Sequence, residues 1–131
     1  MHRIVSFPGD EGTPKNLTII EQPNAPVLFL SSANTDISTL SEFLKTKSAE
    51  KWRGQIKALP LETLSHPSQI DHYLNKTAKA TKVIIVRLLG GKGHWSYGLQ
   101  ELTKWKSQDK NRKIIILAGI DENTEELNTI S

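Results

Sequence analysis

The sequence predicts an α/β fold, a three-layer sandwich on a mostly parallel sheet, and three observations carry that prediction. Short β-rich runs alternate with longer amphipathic stretches, the pattern of parallel strands joined by covering helices. Three of the runs, Val27 to Leu30, Val83 to Val86 and Ile114 to Ala118, are apolar without interruption, as strands covered on both faces are. The chain has 131 residues, 37% hydrophobic and 24% charged, which suits a single domain around one core.

Taken in order, strands are expected at Arg3 to Phe7, Val27 to Ser31, Gln55 to Leu59, Lys82 to Arg87 and Lys113 to Ala118. Residues 8–26 are loop-rich, since Pro14, Pro23 and Pro26 break the pattern together with Gly9 and Gly12; only Leu17 to Glu21 reads as a short edge strand. Three helices lie between the later strands, each with one apolar stripe at spacings of three and four. Their faces are Ile37, Leu40 and Leu44; Ile70, Tyr73, Leu74 and Ala78; and Trp95, Leu99 and Leu102. Asn34, Thr35 and Asp36 offer N-cap oxygens, and Pro67 suits a first helical turn. Residues 121–131 read as an acidic tail or the start of a truncated helix, favoured by Glu125, Glu126 and Leu127.

Right-handed crossovers between consecutive parallel strands give a flavodoxin-like or Rossmann-like sandwich, in which ligands bind at the carboxyl ends of the strands. Four segments fall there: Ser31 to Asp36, Pro60 to His66, Leu88 to Trp95 and Gly119 to Glu122. No apolar run approaches the roughly 20 residues that cross a bilayer, and the start lacks a signal-peptide pattern, so the expected location is cytoplasmic. With zero Cys, disulfides, thiolate metal sites and thiol nucleophiles are excluded. The net charge of +3 hides a division: residues 76–113 carry ten basic groups against two acidic, while residues 114–131 carry four acids and no base. Such a basic segment is either a solvated face or an attractor of phosphates and carboxylates.

Arg87-Leu88-Leu89-Gly90-Gly91-Lys92-Gly93-His94-Trp95 is the most unusual stretch, three glycines leaving a buried strand and opening a helix. Free N–H groups at a helix start, with Arg87 and Lys92 beside them, make an anion cradle; a tight turn with positive φ angles is the structural alternative. It is neither a Walker loop nor a full dinucleotide fingerprint. Of the four histidines, His94 is the one placed in this loop; His66, before Pro67, reads as a helix cap or loop residue, and His72 falls opposite the Ile70 and Leu74 stripe, on the exposed side. No protein-only metal site and no Ser-His-Asp triad can be assembled, so no catalytic residue is assigned. Trp95 and Trp105 read as core, Tyr97 as a side chain off the stripe that is free to meet a ligand or partner, and Trp52 as an exposed interface aromatic.

The run Val86-Arg87-Leu88-Leu89-Gly90-Gly91 with Trp95-Ser96-Tyr97-Gly98-Leu99 resembles the amino-terminal region of the large subunit of aerobic cobaltochelatase, the CobN family. Leu30-Ser31-Ser32-Ala33-Asn34-Thr35-Asp36 is similar to that family's second-strand exit, and His66-Pro67 with Asp71, Tyr73 and Thr77 to its helix between the third and fourth strands. Two departures stand out, His94 where the family more often has tyrosine and Ser96 where proline is common. The resemblance implies a subunit that binds the corrin precursor hydrogenobyrinic acid a,c-diamide while cobalt enters, with ATP hydrolysed by separate AAA+ ATPase partner subunits. It also implies that this stretch is either one excised amino-terminal domain of a far longer subunit or a stand-alone relative of it, binding no cofactor of its own and inactive alone. The substrate-binding residues to expect are Arg87, Gly90, Gly91, Lys92, Gly93 and His94 with Ser32, Asn34 and Thr35.

Alternatives of other classes stand beside this one. They are a relative of the magnesium chelatase large subunit, a flavodoxin-like module binding an anion or nucleotide at Gly90 to Gly93, and a domain that only docks other subunits. Nucleic-acid binding by the basic segment is the least favoured.

Overall fold

Four strands carry the molecule: β3 (Val27–Ser31), β4 (Ile56–Pro60), β5 (Val83–Leu88) and β6 (Lys113–Ala118), all parallel and ordered β4-β3-β5-β6. The computed structural model describes residues 3–6, 18–89 and 95–118. Register brings Leu30 opposite Leu59 on one side and Val86 on the other, and Val86 opposite Ile116. The expected neighbours Val27 to Ser31, Lys82 to Arg87 and Lys113 to Ala118 therefore lie side by side and parallel. Uninterrupted apolar runs found each other because each needs cover on both faces.

The amino-terminal segment departs from expectation. β1 (Arg3–Ser6) does not enter this sheet; it pairs antiparallel with β2 (Thr18–Glu21) in a separate two-stranded ladder, Arg3 opposite Glu21 and Ser6 opposite Thr18. A four-residue run has no periodicity long enough to say which partner it takes. The chain re-enters the main body at Gln22, whose amide Nε2 donates to Ala58 O at 3.0 Å while its Oε1 accepts from the Tyr73 hydroxyl at 2.8 Å.

Strand pleating sorts the sheet into two unlike faces. Leu28, Leu30, Leu59, Ile84, Val86, Leu88, Ile114 and Ile116 point one way and are buried. Over them lie α2 (Pro67–His72), which runs on into a π-helical turn at Tyr73–Thr77, and α3 (Ser96–Ser107). Their stripes, Ile70, Tyr73, Leu74 and Ala78 with Trp95, Leu99, Leu102 and Trp105, join the same apolar cluster. Among the described residues the opposite face is covered by α1 (Asn34–Leu44), which has no fully buried residue. Its stripe is there, since Ile37, Leu40 and Leu44 are half-buried.

Local signals explain the ends of these elements. Pro67 occupies the first turn of α2, and His66 caps it: Ser68 N–H donates to Nδ1 at 3.1 Å, and Gln69 Oε1 accepts the His66 N–H at 3.0 Å. At α1 the expected side-chain caps are absent. Ala33 holds the cap position, and Ser31 Oγ accepts the Ala33 N–H at 3.0 Å while Asp36 turns to other partners. Arg53 closes the other end by donating to the carbonyls of Leu44 at 2.6 Å and Thr46 at 2.7 Å. Gly54 then takes φ +81°, a turn conformation that side chains rarely adopt.

Candidate functional site

The strand order sets where a site can form. β3 leads to β4 on one side and β5 to β6 on the other, so the connections that leave the paired carboxyl ends of β3 and β5 run in opposite directions. A cavity of about 370 Å³ lies at that divergence, and Ser31, Ser32, Asn34, Leu88 and Leu89 line it from the two strand exits. Pro60, Leu61, Glu62 and Ser65, after β4, form its second side, and Trp95 to Gly98 at the start of α3 its third.

Two serines hold the exits together. Ser32 N–H donates to Arg87 O at 3.0 Å, and its hydroxyl donates to the same carbonyl at 3.3 Å and accepts Leu89 N–H at 3.0 Å. The hydroxyl thus carries the sheet one rung past the last paired residues. Ser31, fully buried, donates to Asp36 Oδ2 at 2.9 Å and fixes the first turn of α1.

The aromatic wall is equally determined. Trp95 is buried, and its indole N–H donates to Leu64 O at 2.8 Å, which ties α3 to the segment after β4. A Cβ at residue 98 would fall inside the Trp95 indole, so Gly98 is required by that ring. Tyr97 packs partly on the core and its hydroxyl donates to Asp71 Oδ1 at 2.8 Å. That hydrogen bond to a carboxylate, with some burial and the negative charges of Asp71 and Glu101, pushes the phenol pKa up to about 12. Tyr73, buried beneath, is pushed higher by desolvation.

The expected site residues divide three ways. Ser32 and Asn34 line the cavity, and Thr35 stands exposed beside them in the first turn of α1. Arg87, expected on the same rim, turns to the other face of the sheet, where its Nε lies 2.8 Å from Asp36 Oδ2 in a half-exposed ion pair. Alternation decides this: Val86 and Leu88 point into the core, so Arg87 points away. Gly90, Gly91, Lys92, Gly93 and His94 lie outside the described residues, though Leu89 and Trp95, which bracket them, both border the cavity. Glu62 and Ser65, within the expected segment Pro60 to His66 though not named individually, also line the cavity. Trp52 is exposed as expected, with Lys51 Nζ 5.4 Å from its ring centre. Among the described residues no three His, Asp or Glu side chains gather into a possible metal site. No described helix is long and apolar enough to cross a membrane.

Fold and cavity together define a doubly wound α/β unit with a ligand-sized recess at its topological switch point. No protein-family profile matches the chain, and no solved structure does. Among curated proteins it is similar to the aerobic cobaltochelatase subunit CobN of a Sinorhizobium species, 29% identical over 102 residues, 78% of this chain and 8% of that protein. It is also 24% identical over 130 residues to the CobN subunit of Pseudomonas aeruginosa, 99% of this chain and 10% of that protein. The chain is thus distantly related to one region of the CobN subunit and spans about a tenth or less of the relatives it matches.

Proposed function

We propose that this chain is part of the tetrapyrrole-binding large subunit of an ATP-dependent cobaltochelatase, and that its rim cavity receives one polar arm of a corrin precursor such as hydrogenobyrinic acid a,c-diamide. One observation carries the reading. The segments that resemble the CobN family, far apart in sequence, meet around a single cavity: Ser31, Ser32 and Asn34 from one, Leu88 and Leu89 from the second, Trp95 to Gly98 from the third, with Asp71 holding Tyr97.

The chemistry suits such an arm. A cavity of 370 Å³ takes a side chain of the macrocycle rather than the macrocycle itself. Asn34 and the hydroxyls of Ser65 and Ser96 can donate to a carboxylate or amide carbonyl, while Glu62 accepts from an amide N–H. Trp95 and Tyr97 offer an apolar wall to the ring edge. The role of these residues is to bind and orient. Cobalt is a substrate whose insertion is placed elsewhere in the longer subunit, and ATP hydrolysis belongs to AAA+ partner subunits.

Titration of the isotope-labelled chain with a carboxylated corrin tests the reading by amide chemical shifts. Residues 32–35 and 88–97 should move first, and protoporphyrin at equal concentration shows how far this region distinguishes macrocycles. Shifts confined to the far edge, around Asp109 and Arg112, would overturn the cavity assignment in favour of subunit docking.

A further inference from the structure

We infer that the groove between α1 and the sheet is a second binding site, one that takes a carboxylic acid with an apolar tail and grips its head with Arg87. The groove, of about 540 Å³, opens on the face turned away from α2 and α3, with Val27, Phe29, Ile56 and Ile85 as its floor and Leu40 and Phe43 of α1 as its wall. A mostly apolar recess of this size with a few polar groups is the usual form of a small-molecule site. Phe43 is 46% exposed at its mouth.

Polar groups gather at one end. Val27 stands opposite Ile56 on the first rung of β3, and Arg87 opposite Ser31 on the last, so the groove follows the strand for about 13 Å. Asp36 meets Arg87 there, with Nε and Oδ2 2.8 Å apart, yet the contact lacks hydrogen-bond geometry and the buried Nε has no partner. Asp36 Oδ2 accepts from the Ser31 hydroxyl instead. Native proteins rarely leave a buried donor unpaired. Among the described residues no other N–H of the guanidinium is engaged, and the side chain is 39% exposed, within reach of a ligand. Asp36 thus holds the fork in place by charge and leaves its donors unspent. A carboxylate matches that fork with two parallel hydrogen bonds, which a hydroxyl cannot supply. Behind the head, an acyl tail of about eight carbons lies along the floor, and each buried CH2 adds to affinity.

The test titrates the whole isotope-labelled chain with octanoate and, separately, with octanol as the uncharged analogue. Amide shifts at Phe29, Leu40, Phe43 and Ile85 report the groove, and those at Asn34, Ser65 and Tyr97 the rim cavity, which shares no described lining residue with it. Octanoate should move the groove set and bind about tenfold more tightly than octanol, the worth of a charge-assisted contact. Arg87→Gln should bring octanoate down to the level of octanol and leave octanol binding unchanged, while Arg87→Lys, which keeps the charge and loses the fork, should fall between. Equal binding of octanoate and octanol to the unaltered chain would overturn the inference, and that comparison needs no variant. So would octanoate shifts absent from the groove or confined to the rim set. Groove shifts that appear on raising the protein concentration without ligand would overturn it too, giving the face to a second copy. Each result is independent of corrin binding, which is read at the strand ends.

Discussion

The two faces of the parallel sheet both carry large apolar side chains and have different fates. On one, Ile84, Val86 and Ile116 lie under α2 and α3; on the other, Ile85 is half-buried and Ile115 and Leu117 lie open. Neighbours in sequence thus differ in burial only because the pleat sends them opposite ways. A soluble surface has no need of isoleucine at three successive positions from Ile114. The composition of β6 is that of a strand meant to be covered twice, and the apolar excess on its open side marks a surface built for contact.

The largest effects should separate the faces. Ile84→Ala removes side-chain volume from the packed side and should cost about 2–5 kcal/mol in denaturant unfolding. Ile115→Ala, on the open side, should cost under about 1 kcal/mol. Equal small costs at both positions would break the distinction. Next comes the rim: Gly98→Ala forces a methyl group into the Trp95 indole and should cost about 1–3 kcal/mol, with a change in tryptophan fluorescence. Ser32→Ala removes the hydroxyl that joins the two strand exits, for about 0.5–1.5 kcal/mol, and should raise amide exchange at Leu89 before any site in the core.

The smallest effect is a titration. Tyr97 should release its proton near pH 12 rather than at its ordinary 10.0, and Asp71→Asn should bring it down towards that value, read by phenolate absorbance. The folded-state pKa is the raised one, so the linked stability is complete below about pH 10 and is lost as pH rises through about 12. A phenolate appearing at 10.0 in the native protein would show that the Asp71 contact does not persist in solution.

Much of this was legible in the sequence, and the failures have physical causes. The three central strands announced themselves because continuous apolar runs leave few other options, and the helix starting at Pro67 because proline and a capping residue fix its first turn. Arg87 was misplaced for the same reason that its strand was easy to find: a run apolar on both faces hides the alternation that tells inside from outside. The pairing of β1 with β2 was beyond reach, since four residues hold no register information. Ser32 and Asn34 were expected at the rim because strand exits carry ligands in this architecture, and they line the cavity; the segment holding Glu62 and Ser65 was expected there too, but which of its side chains face the cavity was not readable from the sequence.

Gln22 has a consequence of a different kind. Its amide donates to Ala58 O in β4, the strand at one edge of the described sheet. Exposed strand edges recruit other chains by backbone pairing, the first step towards ordered aggregates. A single side chain, locked from behind by Tyr73, occupies one rung of that ladder and denies it to a foreign strand. The residue that tethers the amino-terminal segment therefore also satisfies one backbone acceptor of an edge strand.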